Sequence, residues 1–212
     1  MNKKEDEIYV VLIKALTGLG KFSRKLNKYE YTHIAISLND EMKDFVTFSR
    51  KLHYAPFQSG FMHEKVEHYA FGNHRKAKVK IFKVPVRNMQ KIKSYIEKIE
   101  KDEEYIFNIY SMITMPFIHG FRIYKAHNCM SFVGKIIELT GAVRMEKKYY
   151  KYNIAEMDAL LTPYFYKETE LKKTTDDKEY MQKVGFFANL KQFAGLNRKL
   201  MYRMLFKRRL LR

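Results

Sequence analysis

Cys129 is the only cysteine in the chain, and the residues around it read as a helix start. Asn128 stands in the capping position. Phe132, Val133, Ile136 and Leu139 follow at helical spacing, and Gly141 closes the run. A thiol in the first turn of a helix feels the positive end of the helix dipole. That favours the thiolate, which is the nucleophilic form. By composition alone a lone cysteine more often packs as a small buried hydrophobe, so a catalytic reading depends on a base that can reach it.

The chain has seven histidines: His33, His53, His63, His68, His74, His119 and His127. The segment His63-Glu64-Lys65-Val66-Glu67-His68 has the outline of a zinc-protease helix, but its histidines are five apart where that motif needs four. On a helix their rings would diverge by about 140°. No other ligand cluster stands out, so neither a metal nor any other cofactor is expected.

His33 is better placed. In Tyr31–Leu38 the side chains alternate, with Ile34, Ile36 and Leu38 on the core face and His33 on the other, beside the small Ala35 and Ser37. Small neighbours would leave room for a ring and a substrate. On the next strand Val46 and Phe48 mark the core face, which puts Thr47 and Ser49 on the face of His33. Either hydroxyl could orient the imidazole, because alternation fixes the face but not the register. His127, two residues before the cysteine, is a rival base without a rigid platform.

These residues need a scaffold. Ile8–Ile13 reads as a buried strand and Thr17–Asn27 as a basic short helix or loop. Tyr31–Leu38 and Phe45–Arg50 form a β-hairpin, and Lys76–Pro85 is a half-exposed strand. Arg87–Glu104 reads as a charged amphipathic helix and Tyr105–Phe117 as a buried one. The Cys129 helix follows, then a short helix at Ile154–Leu161 and a last strand at Tyr164–Leu171. The order predicts an α+β fold, a small antiparallel sheet packed with helices. Residues 1–173 form the expected domain. Thr174–Glu179 reads as a linker, which makes 174–212 a separate tail.

The 212-residue chain carries a net charge of +18. No acidic residue follows Glu179, while nine lysines and arginines do. From Gly185 onward Phe186, Leu190, Phe193, Leu200, Met201, Met204 and Leu205 fall toward one side of a helix, with the basic residues mostly off it. This is a basic amphipathic helix. It could dock on its own domain or on a dimer partner, or lie on an anionic membrane surface. Nucleic acid would also be attracted to such charge, but no recognised nucleic-acid motif is present. The N-terminus lacks the pattern of a signal peptide and no stretch reaches the roughly 20 apolar residues of a membrane span. A cytoplasmic protein, at most peripheral at the membrane, is the expectation.

Taken together, Tyr31-Thr32-His33-Ile34-Ala35-Ile36, the hairpin return Phe48-Ser49-Arg50-Lys51 and the distant Asn128-Cys129-Met130-Ser131-Phe132-Val133 resemble the circularly permuted papain-like cysteine hydrolases of the NlpC type. The likeness is to the branch that includes lecithin retinol acyltransferase-like proteins, in which the histidine strand precedes the cysteine helix. Val46–Lys51 and Leu161-Thr162-Pro163 look closer to a bacterial subgroup. The resemblance spans Ile8–Leu171. It implies a permuted papain-like fold with Cys129 as nucleophile and His33 as base. Thr47, with Ser49 as runner-up, would orient the ring, where such enzymes more often use Asn, Asp, His, Glu or Gln. It further implies a thiol-dependent peptidase, amidase or acyl hydrolase acting on a peptide or lipid-like acyl substrate. The contrasting expectations are a non-catalytic module that binds anionic membrane or nucleic acid, and an interaction protein with decayed activity on the same fold.

Overall fold

The structure is a computed structural model and describes residues 6–16, 24, 29–70 and 75–211. Nearly all of the Thr17–Asn27 segment, and His74, lie outside the described residues.

Six strands form one sheet: β1 (Asp6–Ile13), β2 (His33–Ser37), β3 (Asp44–Leu52), β4 (Ala55–Lys65), β5 (Lys76–Val86) and, further along the chain, β8 (Phe165–Lys172). Their order is β4-β3-β2-β1-β5-β8, and every neighbouring pair is antiparallel. The sheet is therefore more extensive than the small one expected. Two short parallel strands, β6 (Ile106–Phe107) and β7 (Ala126–His127), make a second pairing.

The uninterrupted apolar run in β1 has a direct cause, because both faces of the sheet are covered there. On one side Val10, Leu12, Ile34, Ile36 and Phe48 pack against α2 (Met89–Lys101) and α4 (Cys129–Thr140); α3 (Ile109–Ile118) lies between those helices in the chain. On the other side Val11, Ile13, Ala35, Phe45 and Ile81 pack under Met42, Tyr69 and Ala70. Tyr69 ends the single-turn helix α1 (Val66–Tyr69). The face that carries His33 is thus largely filled, where its small residues suggested open space. The short α5 (Ile154–Leu161) forms where expected.

Three expectations change. β4 is not apparent in the sequence, because Pro56, Gln58, Ser59 and Gly60 interrupt its alternation. Pairing with β3, from Asp44 opposite Lys65 to Ser49 opposite Gly60, supplies what local pattern does not. Tyr105–Phe117 is not one buried helix: β6 comes first, Asn108 then caps α3, and Ile113, Phe117 and Ile118 are exposed. The tail is packed on the domain across the expected boundary at residue 173. Tyr180 is buried, stacks on His68 and accepts a hydrogen bond from Arg50, while Asp177 pairs with His68 at 3.1 Å.

The long helix α6 (Phe186–Phe206) lies along β4 with Leu196 and Leu200 in the main core. Arg203 ties it down through the carbonyls of Glu104, Tyr124 and Lys125. Leu200→Ala should accordingly cost about 2–5 kcal/mol, the usual range for truncating a fully buried leucine. The loss would be measured by urea denaturation. A cost below about 0.5 kcal/mol, the range of a surface substitution, would mean that α6 is not part of the folded unit.

Candidate active site

Cys129 is the first residue of α4. Asn128 accepts from the Ser131 N–H at 2.8 Å, and Ser131 Oγ accepts from the Asn128 N–H at 3.0 Å, a reciprocal cap that fixes the first turn. The Phe132 N–H goes to the Asn128 carbonyl. Among the described residues, the N–H groups of Cys129 and Met130 have no acceptor, so two donors remain beside the sulfur. Phe132 anchors the turn against Phe48 and Phe61, and the Cys129 side chain is half-buried.

His33 opens β2, and its Nε2 lies 2.8 Å from Glu64 Oε2 on β4. The Cys129 thiol is near enough to the ring to act on its charge. Glu64, with its side chain 4% exposed, also accepts from Tyr69 Oη at 2.8 Å and from Ser49 Oγ. One buried carboxylate thus collects three side-chain donors, the His33 imidazole among them.

The electrostatics follow from this packing. Burial by itself would lower the His33 pKa. The Glu64 charge, the hydrogen bond the ring donates to Glu64 and the nearby Cys129 sulfur outweigh it, so the imidazolium is held well above the usual histidine range. Burial by itself would raise Glu64. The charge of His33 and the hydrogen bonds from His33, Ser49 and Tyr69 hold its carboxyl well below the usual range. The same ion pair produces both shifts.

Sequence reasoning placed the orienting group on Thr47, and the geometry puts it elsewhere. Thr47 is fully buried and donates to the Ile34 carbonyl at 2.8 Å, so its hydroxyl is spent on the β2 backbone. Ser49, the runner-up, reaches the site one step removed, through Glu64. Glu64 lies in the segment whose helical reading suggests only a metal motif. The available signal was period-2: on a strand, Met62 and Glu64 share a face opposite Phe61 and His63. His63 pairs with Glu100 and His68 with Asp177, so the two histidines of that segment diverge.

His127 is committed to structure. Its ring is half-buried, with Nδ1 near Ser131 Oγ at 3.2 Å and Nε2 near Tyr95 Oη at 3.3 Å, and it stacks on Tyr105. Burial, then the positive charges of Arg122 and Lys135, push its pKa down to about 3. Two concavities, of about 460 and 310 Å³, lie along α6, and neither is lined by Cys129 or His33. Among the described residues no group of three or more His, Cys, Asp or Glu side chains is arranged to hold a metal.

The constellation has the parts that nucleophilic catalysis needs: a half-buried cysteine, an imidazole, a buried carboxylate on that imidazole and two free backbone donors. No family model, no curated protein and no solved structure matches the chain.

Proposed function

We propose that the chain is a thiol-dependent hydrolase or acyltransferase that acts on an amide or ester bond. The observation that carries this reading is His33 held on the buried Glu64 carboxylate, with the Cys129 thiol near enough to act on the charge of the ring. A structural cysteine has no need of such a partner, and a buried ion pair is costly to maintain for stability alone. His33 takes the thiol proton, the Cys129 sulfur attacks the carbonyl carbon, and the developing oxyanion is received by the N–H groups of Cys129 and Met130. The His33 proton passes to the leaving amine or alkoxide as the bond to carbon breaks, which leaves a thioester. Water or another acceptor then gives its proton to His33 and attacks the thioester, releasing the acyl group and the thiol.

The resemblance to permuted papain-like NlpC-type hydrolases agrees with this assignment, and Glu64 is one of the residue types those enzymes use to orient the histidine. The α+β architecture, with an antiparallel sheet under a cysteine helix, is compatible with that fold. On this reading relatives offer two substrate classes, cell-wall-type peptides and lipid esters. Acyl and peptidyl activity-based probes would separate them.

The reading is tested by alkylation. Cys129 should react with iodoacetamide faster than a free thiol near pH 6, and His33→Ala should remove that advantage. Equal rates in the two proteins would refute the pairing. The exposed basic tail favours one other reading, a binding module on the same fold, for which Cys129→Ser would leave ligand binding intact.

A further inference from the structure

The outward side of α6 is the least explained surface of the molecule. Leu196, Leu200 and Arg203 point into the domain. Opposite them Phe187, Leu190, Met201 and Leu205 recur at spacings of 3, 11 and 4 residues, close to whole turns of one helical face. All four are exposed, Phe187 to 82% and Leu205 to 68%. Helix α3 extends this surface. Tyr110 donates to Asn197 at 2.6 Å, so the two helices adjoin. Ile113 and Phe117 lie three and seven residues after Tyr110, on its face, and Phe117 is 72% exposed. Large exposed apolar side chains on two adjoining helices mark a surface that is covered in use.

The charge beside this stripe identifies what covers it. Lys191 and Arg198, 7 residues apart, run along its edge and are exposed, and Arg209 is exposed in the short turn just beyond the end of the helix. Among the described residues none of the three forms an ion pair. The nearby acidic residues Glu103 and Glu104 line the cleft on the inner side of α6 with Lys199 and Lys207, and Glu104 is already paired with Lys125. A second copy of this chain would bring identical cationic rows together on a molecule of net charge +18. Nucleic acid would meet the cations but leave the phenylalanines uncovered. An anionic bilayer satisfies both, with apolar side chains at the acyl boundary and cations among the phosphates. No helix among the described residues is long and apolar enough to cross a membrane, so α6 would lie in the interface plane.

We infer that α3 and α6 together form a docking face for an anionic lipid surface, with Phe117, Phe187 and Leu205 inserted and Lys191, Arg198 and Arg209 against the headgroups. This holds whether or not Cys129 is catalytic. The test is flotation of the full chain with vesicles of phosphatidylcholine alone and of phosphatidylcholine mixed with phosphatidylglycerol. Binding is expected to the mixed vesicles and to weaken as salt rises. The Phe187→Ser/Leu205→Ser pair and the Lys191→Glu/Arg198→Glu pair should each weaken it by at least about tenfold. Lys43→Glu, on the sheet side, should leave it unchanged. All these positions are exposed, and circular dichroism would verify that each variant is folded. Absence of flotation, or equal flotation on both vesicle types, would overturn the inference. So would a solution dimer abolished by Phe187→Ser/Leu205→Ser, which would assign the face to a second copy of the chain.

Discussion

Replacing Glu64 with glutamine is expected to lower the titration midpoint of His33 to its ordinary value near 6.5 or below, and to slow iodoacetamide alkylation of Cys129 near pH 6 by roughly tenfold or more. Glutamine keeps the length of the side chain and an oxygen that can accept from His33 Nε2, so the geometry survives while the charge goes. What remains around the ring is burial, which by itself disfavours the imidazolium. A neutral imidazole no longer offers a positive charge to a neighbouring sulfur, and the nucleophile loses its electrostatic support. The measurements are an NMR titration of the His33 ring and alkylation rates across pH. If the His33 midpoint is unmoved and the rate stays within about twofold of wild type, Glu64 plays no part in activating the site. Thr47→Val, which removes a hydrogen bond to the Ile34 carbonyl and none to the site, should leave both readouts unchanged.

Stability should depend on pH through the same pair. His33 is held above its ordinary value, so its contribution is complete below about pH 6.5 and is lost as pH rises through the raised native value. Glu64 is held below its ordinary value, so its contribution is complete above about pH 4.5 and is lost as pH falls through the lowered native value. The two statements describe one interaction and are not summed. The pair therefore stabilises the fold fully between about pH 4.5 and 6.5, with a decline on either side. Breaking a buried pair by neutralising one partner costs roughly 3–5 kcal/mol. Urea denaturation at about pH 5.5 and about pH 9 should show an alkaline loss of that order in the wild-type chain and little in Glu64→Gln. An alkaline loss of equal size in both proteins would place its origin outside the His33–Glu64 pair.

Some of this was open to inspection in the residues. The helix at Cys129 is a local object: an Asn cap, an apolar stripe and a terminal glycine specify it without help from the rest of the chain. The same holds for β1, for the hairpin of β2 and β3, and for α5. Burial or alternation over a few residues is sufficient there. The candidate pair of Cys129 and His33 could be named because each sits on such a locally defined element.

The orienting residue could not be found that way. Alternation placed Thr47, Ser49 and His33 on one face, but which hydroxyl meets which group depends on register and on backbone contacts between strands, and those are properties of the assembled sheet. Glu64 lies on a strand whose own residues carry a poor strand pattern, and β4 exists because β3 offers it a ladder. Its role arises only once Tyr69, Ser49 and His33, drawn from three other elements, converge on one desolvated carboxylate.

The chain by itself determined its charge, its principal strands and the cysteine-capped helix, because those follow from composition and from periods of a few residues. Tertiary structure alone decided the carboxylate partner of His33, the structural fate of His127, the docking of α6 and the exposure of α3. Each of these depends on which distant surfaces exclude water from one another, and no short stretch of sequence records that.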